Sequence, residues 1–203
     1  MSKYIDKIIY INLEKRPDRK MQIEVELDNF GLSYERFNAI ETEDGCIGCA
    51  ISHLQVLKLA KERGYKNVLI LEDDFTFLVS KEVFEYEINL FFEKYENNYD
   101  VCMISYLVIQ HEIITEQSNM NKILEAQTTS GYIVNAAYFD KLIELYEESN
   151  RLLEQTRMHW IYANDQIWKK YQPIDNWYYF KTRLGKQRAG YSDLFNQYVD
   201  YGA

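Results

Sequence analysis

The chain has 203 residues, of which 47% are hydrophobic and 27% are charged. A chain of this length and composition can bury one substantial core, so we expect a single domain over residues 1–203. Its 23 basic and 32 acidic residues give a net charge of −9. A negative net charge does not suit a surface that neutralises phosphates, so nucleic acid is not an expected partner.

The apolar runs of the chain are short. The longest, residues 101–109, has nine residues and includes a serine, whereas a membrane-spanning helix needs roughly 20. The first apolar run, residues 8–11, lacks the extended core of a secretory signal. Three cysteines suit a reducing compartment better than a disulfide framework. These features predict a cytoplasmic protein without a transmembrane segment.

Strands and helices alternate in the first part of the chain. Residues 7–13 form a nearly unbroken β-branched run, which predicts a buried parallel strand. Pro17 stands at a first helical position and Gly31 at a C′ position, so we predict a helix between them. The next predicted elements are a strand over 33–40, a helix over 48–63 and a strand over 68–71.

The same alternation continues to the C-terminal part. A helix is predicted after Ser80, followed by a strand over 101–104 and helices over 136–153 and 159–171. Residues 110–121 are predicted to be a variable loop that helps to build an acceptor pocket. This order of elements predicts an α/β fold with a mostly parallel central sheet, in which ligands bind beyond the carboxyl ends of the strands.

Three consecutive acids, Glu72, Asp73 and Asp74, directly follow the predicted strand 68–71 and precede Phe75. Carboxylates placed together at the end of a buried strand repel one another unless a cation neutralises them. Their oxygen atoms suit Mn²⁺ or Mg²⁺, which a substrate phosphate then shares. A solvated acidic turn is the simpler alternative, but the flanking apolar residues favour metal binding.

Several separated segments also carry a family resemblance. They are IYINLEKRPDRK (9–20), RFNAIE (36–41), GCAISHLQVLKLAKERGYKNVLILEDDF (48–75) and TTSGYIVN (128–135), with weaker matches in NDQIW (164–168) and GYSDL (190–194). In their order and spacing the chain resembles glycosyltransferase family 25, which includes lipooligosaccharide and collagen galactosyltransferases. The resemblance implies a Rossmann-like GT-A fold, an inverting reaction, a nucleotide-sugar donor and a divalent metal.

The resemblance implies a donor site in the first half of the chain. Asn12, Arg16 and Arg19 match the segment that meets the nucleotide, and Ala39 lies in the turn near the base or ribose. From the residues alone, the two arginines are also explained as exposed helix charges and Asn12 as a cap of the strand end. The match of the whole segment favours the binding role.

The resemblance also assigns roles to the acidic motif. Asp74 resembles the principal metal ligand, Asp73 assists it, and Glu72 or Asp73 contacts the donor through the ribose or a water molecule. Many metal-dependent enzymes of the GT-A fold have a late third metal ligand, which is not obvious here because no histidine follows His159; Asp193 or His159 is a candidate substitute.

The segment around the predicted second helix contains further candidates. Ser52 and His53 match a Ser-His pair of the family, and we expect them to shape the floor of the nucleotide-sugar site from behind the contacting residues. A histidine among apolar neighbours is more often a hydrogen-bonded core residue than a ligand. Cys46 and Cys49 have redox spacing, but no thioredoxin-like context surrounds them. As a zinc site they lack a second Cys or His pair.

Inversion by direct displacement requires a base that deprotonates the acceptor hydroxyl. Asp165 is the candidate, because it opens an apolar helical segment and resembles a later aspartate of the family; an N-cap is its structural alternative. Ser130 and Gly131 are candidates for the sugar site, where a glycine lets backbone approach the sugar. A turn or bulge glycine is the alternative.

Basic residues dominate one segment near the C-terminus. The segment from residue 181 to residue 192 contains no acidic residue but four basic ones, Lys181, Arg183, Lys186 and Arg188. Residues 72–100, in contrast, are strongly acidic. This contrast favours a segment that folds over a diphosphate, although charge runs are usually solvated faces.

These features predict a metal-dependent glycosyltransferase that moves galactose or glucose from a UDP-sugar to a hydroxyl of a glycan or protein. One alternative is a sugar-phosphate nucleotidylyltransferase, which the absence of a Gly-rich loop after the first strand disfavours. The other is a glycan-binding or scaffold protein that has the fold but no turnover. The intact acidic motif argues against it.

Overall fold

The computed structural model of the chain describes residues 3–96, 98–192, 197–200 and 202. Within these residues the strands, in chain order, are β1 Lys7–Asn12, β2 Tyr34–Asn38, β3 Asn67–Glu72, β4 Phe75–Phe77, β5 Val101–Met103, β6 Leu107–Ile113, β7 Met120–Gln127, β8 Gly131–Asn135, β9 Trp177–Phe180, β10 Gly185–Gln187, β11 Gly190–Ser192 and β12 Gln197–Val199. The helices are α1 Pro17–Asn29, α2 Gly45–Glu62, α3 Lys81–Tyr95, α4 Phe139–Thr156, α5 His159–Tyr162 and α6 Asn164–Ile167, with 3₁₀ turns at Ala136–Tyr138 and Trp168–Lys170.

The central sheet has eight strands in the order β2-β1-β3-β8-β5-β9-β7-β6 among the described residues. The pairings of β1 with β2 and β3, and of β5 with β9, are parallel, whereas β8 runs antiparallel to both β3 and β5. Of the described strands of this sheet, only β7 and β8 run against the other six. The predicted α/β fold with a mostly parallel sheet is confirmed. The carboxyl ends of β1, β2 and β3 lie at one edge, where a ligand site is expected.

The sheet is covered on both faces, which explains the unbroken apolar run of β1. Ile9 and Ile11 pack on the face covered by α2 and α4, whereas Ile8 and Tyr10 pack on the face covered by α1 and α3. Successive side chains of a strand point to opposite faces, so a strand buried on both sides is apolar throughout.

Local signals set the helix ends. Asp44 accepts a hydrogen bond from the Cys46 amide at 3.0 Å and so begins α2 three residues before the predicted start at residue 48. Pro17 is the first residue of α1, and Gly31 has a positive φ of 61° just past its end. Ser80 caps α3 as predicted.

Two predicted elements differ from the structure. Residues 110–121 are predicted to be a loop, but only 114–119 connect strands, whereas 110–113 belong to β6 and 120–121 to β7. β6 is an edge strand with mostly exposed side chains and irregular register, so it lacks the apolar alternation of a half-buried strand. The predicted helix over 159–171 is divided into α5, α6 and a 3₁₀ turn, because Ala163 adopts an extended ψ of 153°. None of the described helices combines the length and apolar character that a bilayer span requires.

Candidate active site

The acidic motif lies at the carboxyl end of β3, in the tight turn to β4, and its two aspartates are buried. Asp73 is 8% and Asp74 7% exposed, which rules out a solvated turn. Asn12 at the end of β1 donates to Asp73 Oδ2 at 2.7 Å. Arg19 NH1 on α1 donates to Asp73 Oδ1 at 3.0 Å and to Asp74 Oδ2 at 3.2 Å. One guanidinium therefore bridges both carboxylates.

The carboxylates of this cluster repel one another. Burial, together with the nearby Glu72 and Asp73 carboxylates, raises the pKa of Asp74 to about 7, against the opposing effect of Arg19. Burial also raises the pKa of Asp73, although Arg19 and Asn12 act in the opposite direction. A single arginine thus neutralises the pair incompletely, because the carboxylates outnumber it.

The two aspartates fit a divalent cation. Asp74 Oδ1 is a buried carboxylate oxygen without a hydrogen-bond partner among the described residues. An unpaired buried oxygen of this kind is costly unless a ligand satisfies it. Oxygen donors from two carboxylates suit Mn²⁺ or Mg²⁺.

Glu72 faces away from the aspartate pair. Its Oε1 accepts a hydrogen bond from Thr129 Oγ1 and lies 3.2 Å from His53 Nε2. Burial raises the pKa of Glu72, but the contacts with His53, the hydrogen bond from Thr129 and the charge of Arg19 together leave the pKa below its ordinary value. The other ring nitrogen, His53 Nδ1, lies 2.8 Å from Tyr132 Oη. His53 is therefore a buried, hydrogen-bonded residue that fixes Glu72, as its supporting role predicts.

A cleft of about 230 Å³ opens beside the aspartates. It is lined by nine of the residues predicted for donor and metal binding: Asn12, Arg16, Arg19, Ala39, Ser52, His53, Glu72, Asp73 and Asp74. They come from β1, α1, the loop after β2, α2 and the β3–β4 turn. The structure thus brings to one cleft residues that are up to 62 positions apart in the sequence.

Three of these residues act mainly on their neighbours. Asn12 also accepts a hydrogen bond from Arg36 Nε at 2.9 Å and donates to the Arg16 carbonyl at 3.1 Å, so it both orients Asp73 and holds the chain that follows the strand. Ser52 accepts from the Ile40 amide at 2.8 Å and thereby fixes the loop that contains Ala39. Arg16 pairs with the exposed Asp18 at 2.8 Å. Arg36 lies in the RFNAIE segment that carries the family resemblance, but nothing in the sequence indicates its contact with Asn12.

Ser130 and Gly131 do not line the cleft, so the structure does not support their predicted contact with the sugar. Both are buried, and Gly131 is the first residue of β8. A Cβ at Gly131 would lie 2.9 Å from the ring of Phe75, and one at Gly185 would lie 2.2 Å from it. These glycines leave room for the aromatic ring that follows the acidic motif. Their role is packing.

We expect Gly185→Ala to destabilise the protein by about 1–3 kcal/mol, because the added methyl overlaps the buried ring of Phe75. Gly190→Ala is the matched control, since a Cβ there meets nothing within 4 Å in the described part of the chain. Chemical denaturation of both variants measures the difference. Equal stability of the two variants would contradict the packing role.

A second cleft, of about 290 Å³, adjoins the first and contains Asp165. The two clefts share Cys49, Glu72 and Gln187 as a common wall. His159, a candidate third metal ligand, lines this second cleft and not the first. Asp193, the other candidate, lies outside the described residues.

Asp165 is held at the wall of the second cleft by two hydrogen bonds. Its Oδ2 accepts from the Thr128 amide at 3.3 Å and its Oδ1 from Gln166 at 3.2 Å. Ala163, not Asp165, is the N-cap of α6, so the N-cap alternative is wrong. Burial raises the pKa of Asp165, and the Glu72 carboxylate raises it further. Thr128 has a φ of 81°, a strained conformation for a β-branched residue.

The predicted basic segment is divided between two places. Arg188 lines the first cleft, and its amide donates to the Asp74 carbonyl at 2.6 Å. Gln187, which the sequence did not single out, donates to Asp74 Oδ2 at 3.1 Å. Lys181 and Arg183 instead donate to backbone carbonyls, at Thr115 and Tyr106. Of these four basic residues, Arg188 is the one that lines the first cleft, so part of the segment is placed where a diphosphate is expected.

The fold, with acids at the end of β3 and a cleft beyond the carboxyl ends of the strands, is the GT-A type of α/β fold. A solved glycosyltransferase involved in the glycosylation of the major capsid of PBCV-1 has the same architecture, with a TM-score of 0.54 and 14% sequence identity. The similarity covers 92% of this chain and 93% of that one.

The sequence profile described as glycosyltransferase family 25 (LPS biosynthesis protein) matches residues 43–168, and the chain belongs to this family. A glycosyltransferase 25 family member of Drosophila melanogaster is 29% identical over 101 residues, and one of Drosophila pseudoobscura pseudoobscura is 30% identical over 101 residues. Each match covers 36% of this chain and 16% of the relative. The chain therefore spans about a sixth of the length of these relatives.

Proposed function

We propose that the protein is an inverting glycosyltransferase that moves a hexose, galactose or glucose, from a UDP-sugar to a hydroxyl of a glycan or protein acceptor. The observation that carries the proposal is the meeting of two clefts at Glu72. The first contains the aspartate pair and the residues that match the family's nucleotide segment. The second contains a buried carboxylate, Asp165, that suits a base.

The donor occupies the first cleft in this proposal. Asp73 and Asp74 hold Mn²⁺ or Mg²⁺, which when bound neutralises the diphosphate and stabilises the charge that develops on the leaving group. Arg19 lies against both aspartates, so of the basic side chains that line the cleft it is the one we assign to the diphosphate. Ala39 and the loop that Ser52 fixes form the side of the cleft toward the base or ribose.

The acceptor approaches from the second cleft. Asp165 accepts the proton of the acceptor hydroxyl while its oxygen forms a bond to the anomeric carbon of the sugar. The bond from that carbon to the diphosphate oxygen breaks, and its electron pair leaves with UDP. Attack from the side opposite the leaving group inverts the anomeric configuration. The raised pKa of Asp165 makes it a stronger base than an exposed aspartate.

A nucleotide-sugar screen tests the proposed function. Thermal melting with a panel of UDP-, GDP- and CMP-sugars, with Mn²⁺ or EDTA, is expected to show stabilisation by UDP-hexoses in Mn²⁺, about 2.7 kcal/mol at 100 times the dissociation constant. UDP release with the stabilising donor then measures turnover. Binding without UDP release under any condition would favour the non-catalytic alternative. Formation of UDP-sugar from UTP and a sugar 1-phosphate would favour the nucleotidylyltransferase.

Arg19→Ala is expected to weaken UDP-sugar binding by roughly 10- to 150-fold, the equivalent of one charge-assisted contact of about 1.5–3 kcal/mol. Lys20→Ala is the matched control, because Lys20 is the next residue of α1 and points to Glu24 outside the cleft. Calorimetric titration with UDP in Mn²⁺ measures both variants. Equal dissociation constants for the two variants would show that Arg19 has only a structural role.

A further inference from the structure

A thiol, an imidazole and a carboxylate meet in the wall between the two clefts. Cys49 and His53 lie one turn apart on α2, and Glu72 ends β3. Their ligand atoms, Cys49 Sγ, a ring nitrogen of His53 and a carboxylate oxygen of Glu72, all lie within 4.8 Å of one another. All three residues line the donor cleft, but the cluster includes neither Asp73 nor Asp74.

This donor set differs in kind from the aspartate pair. Zinc binds thiolate, imidazole and carboxylate at about 2.0–2.3 Å, so its ligands lie roughly 3.3–3.8 Å apart in a tetrahedral site. His53 Nε2 and Glu72 Oε1 are already 3.2 Å apart. No two of the ligand atoms are more than 4.8 Å apart, so a side-chain shift of at most about 1 Å brings them to these separations. Mn²⁺ and Mg²⁺ prefer oxygen donors and gain little from a thiolate.

The surroundings of His53 also suit a ligand. Nδ1 lies 2.8 Å from Tyr132 Oη, and that contact leaves Nε2 directed at Glu72. A ligating histidine usually makes such a hydrogen bond with its second nitrogen, which fixes the ring. The Cys46–Cys49 spacing gives no zinc site by itself because a second pair is missing from the sequence. The fold instead brings His53 and Glu72 to Cys49 and leaves Cys46 outside the cluster.

We propose that Cys49, His53 and Glu72 form a Zn²⁺ site separate from the Asp73–Asp74 cation site. Cys49 and Glu72 line both clefts, so the ion reaches the site from either side and its fourth position faces open space. Three protein ligands with an open position are typical of zinc sites that bind a further molecule rather than purely structural ones. Zinc binding at this cluster does not depend on the proposed transfer activity.

Metal titration of the whole chain tests the site without an activity assay. Under reducing conditions, Zn²⁺ is titrated against a chromophoric chelator, and Co²⁺ is used as a spectroscopic probe. The wild type is expected to bind one equivalent of Zn²⁺ and to give a thiolate-to-cobalt charge-transfer band. Cys49→Ser should lose that band and bind Zn²⁺ at least 100-fold more weakly, since loss of an outer partner alone costs about 10–100-fold.

Cys46→Ser is the matched control and should keep both the band and the affinity, because Cys46 is outside the cluster. Glu72→Gln keeps the size of the side chain and should weaken Zn²⁺ binding even if Cys49→Ser does not fold. A wild type without the charge-transfer band, or an equal loss in both cysteine variants, would overturn the proposal. Asp74→Asn should bind Zn²⁺ as the wild type does; loss of zinc there would show that the ion occupies the aspartate pair instead.

Discussion

Asp165→Asn is expected to lower turnover by roughly 10²- to 10⁴-fold, the contribution of a positioned general base. The amide keeps an oxygen that accepts the hydrogen bond from Thr128 but cannot take the acceptor's proton. The melting temperature and the affinity for the UDP-sugar should stay near those of the wild type, because Asp165 lies in the second cleft and away from the aspartate pair. Turnover, melting and donor titration on this one variant measure all three.

Asp165→Ala separates the two roles of this residue. The alanine also removes the acceptor for the Thr128 amide, which has a strained positive φ. If Asp165 only holds that turn, the alanine variant should lose stability while the asparagine variant keeps turnover within a few-fold of the wild type. Such a result would remove Asp165 from the mechanism. The wild-type rate should rise with pH through the raised pKa of Asp165, because only the carboxylate accepts a proton.

Asp74→Asn is expected to lower metal-dependent turnover by about 10²-fold or more, on the scale of other lost electrostatic contacts to a transition state. The same substitution should stabilise the cation-free protein above pH 7. At that pH the wild type holds a buried charge that Arg19 neutralises only in part, and the amide removes it. Melting in EDTA and turnover in Mn²⁺ should therefore change in opposite directions.

The pH dependence of stability has a definite sign. The folded pKa of Asp74 is raised from the ordinary 3.8 to about 7, so between these values the folded protein holds a proton that the unfolded chain has released. The free energy of unfolding in EDTA should then fall as pH rises from about 4 to 7, by up to about 4 kcal/mol. Asp74→Asn should lose the part of this fall that Asp74 contributes, while the raised pKa values of Asp73 and Asp165 leave a smaller one.

Asp140→Asn is the control for that measurement, because Asp140 is an exposed aspartate on α4. It should keep the pH dependence of the wild type. An Asp74→Asn variant that follows the wild-type curve in EDTA, with an equal or lower melting temperature at pH 7.5, would contradict the buried-charge assignment.

Much of the fold follows from short-range signals in the sequence. Pro17, Gly31 and Ser80 mark helix ends through contacts with neighbouring residues, so they act the same way in any fold. The apolar run of β1 reports burial on both faces, because alternate side chains enter opposite layers. The antiparallel β8 between β3 and β5, and the exposed edge strand β6, carry no such local signal.

The candidate site also combines features that the sequence reveals with contacts that form only on folding. The family resemblance and the acidic motif at a strand end can be read from the sequence, because both are contiguous patterns. The bridge from Arg19 to Asp73 and Asp74, and the cleft that Asp165 and Glu72 border, appear only in the folded chain. The same packing turned Ser130 and Gly131 inward and placed Cys49 and His53 against Glu72. These contacts join residues far apart in the chain, and their geometry is fixed by the packing of helices on the sheet rather than by local propensity.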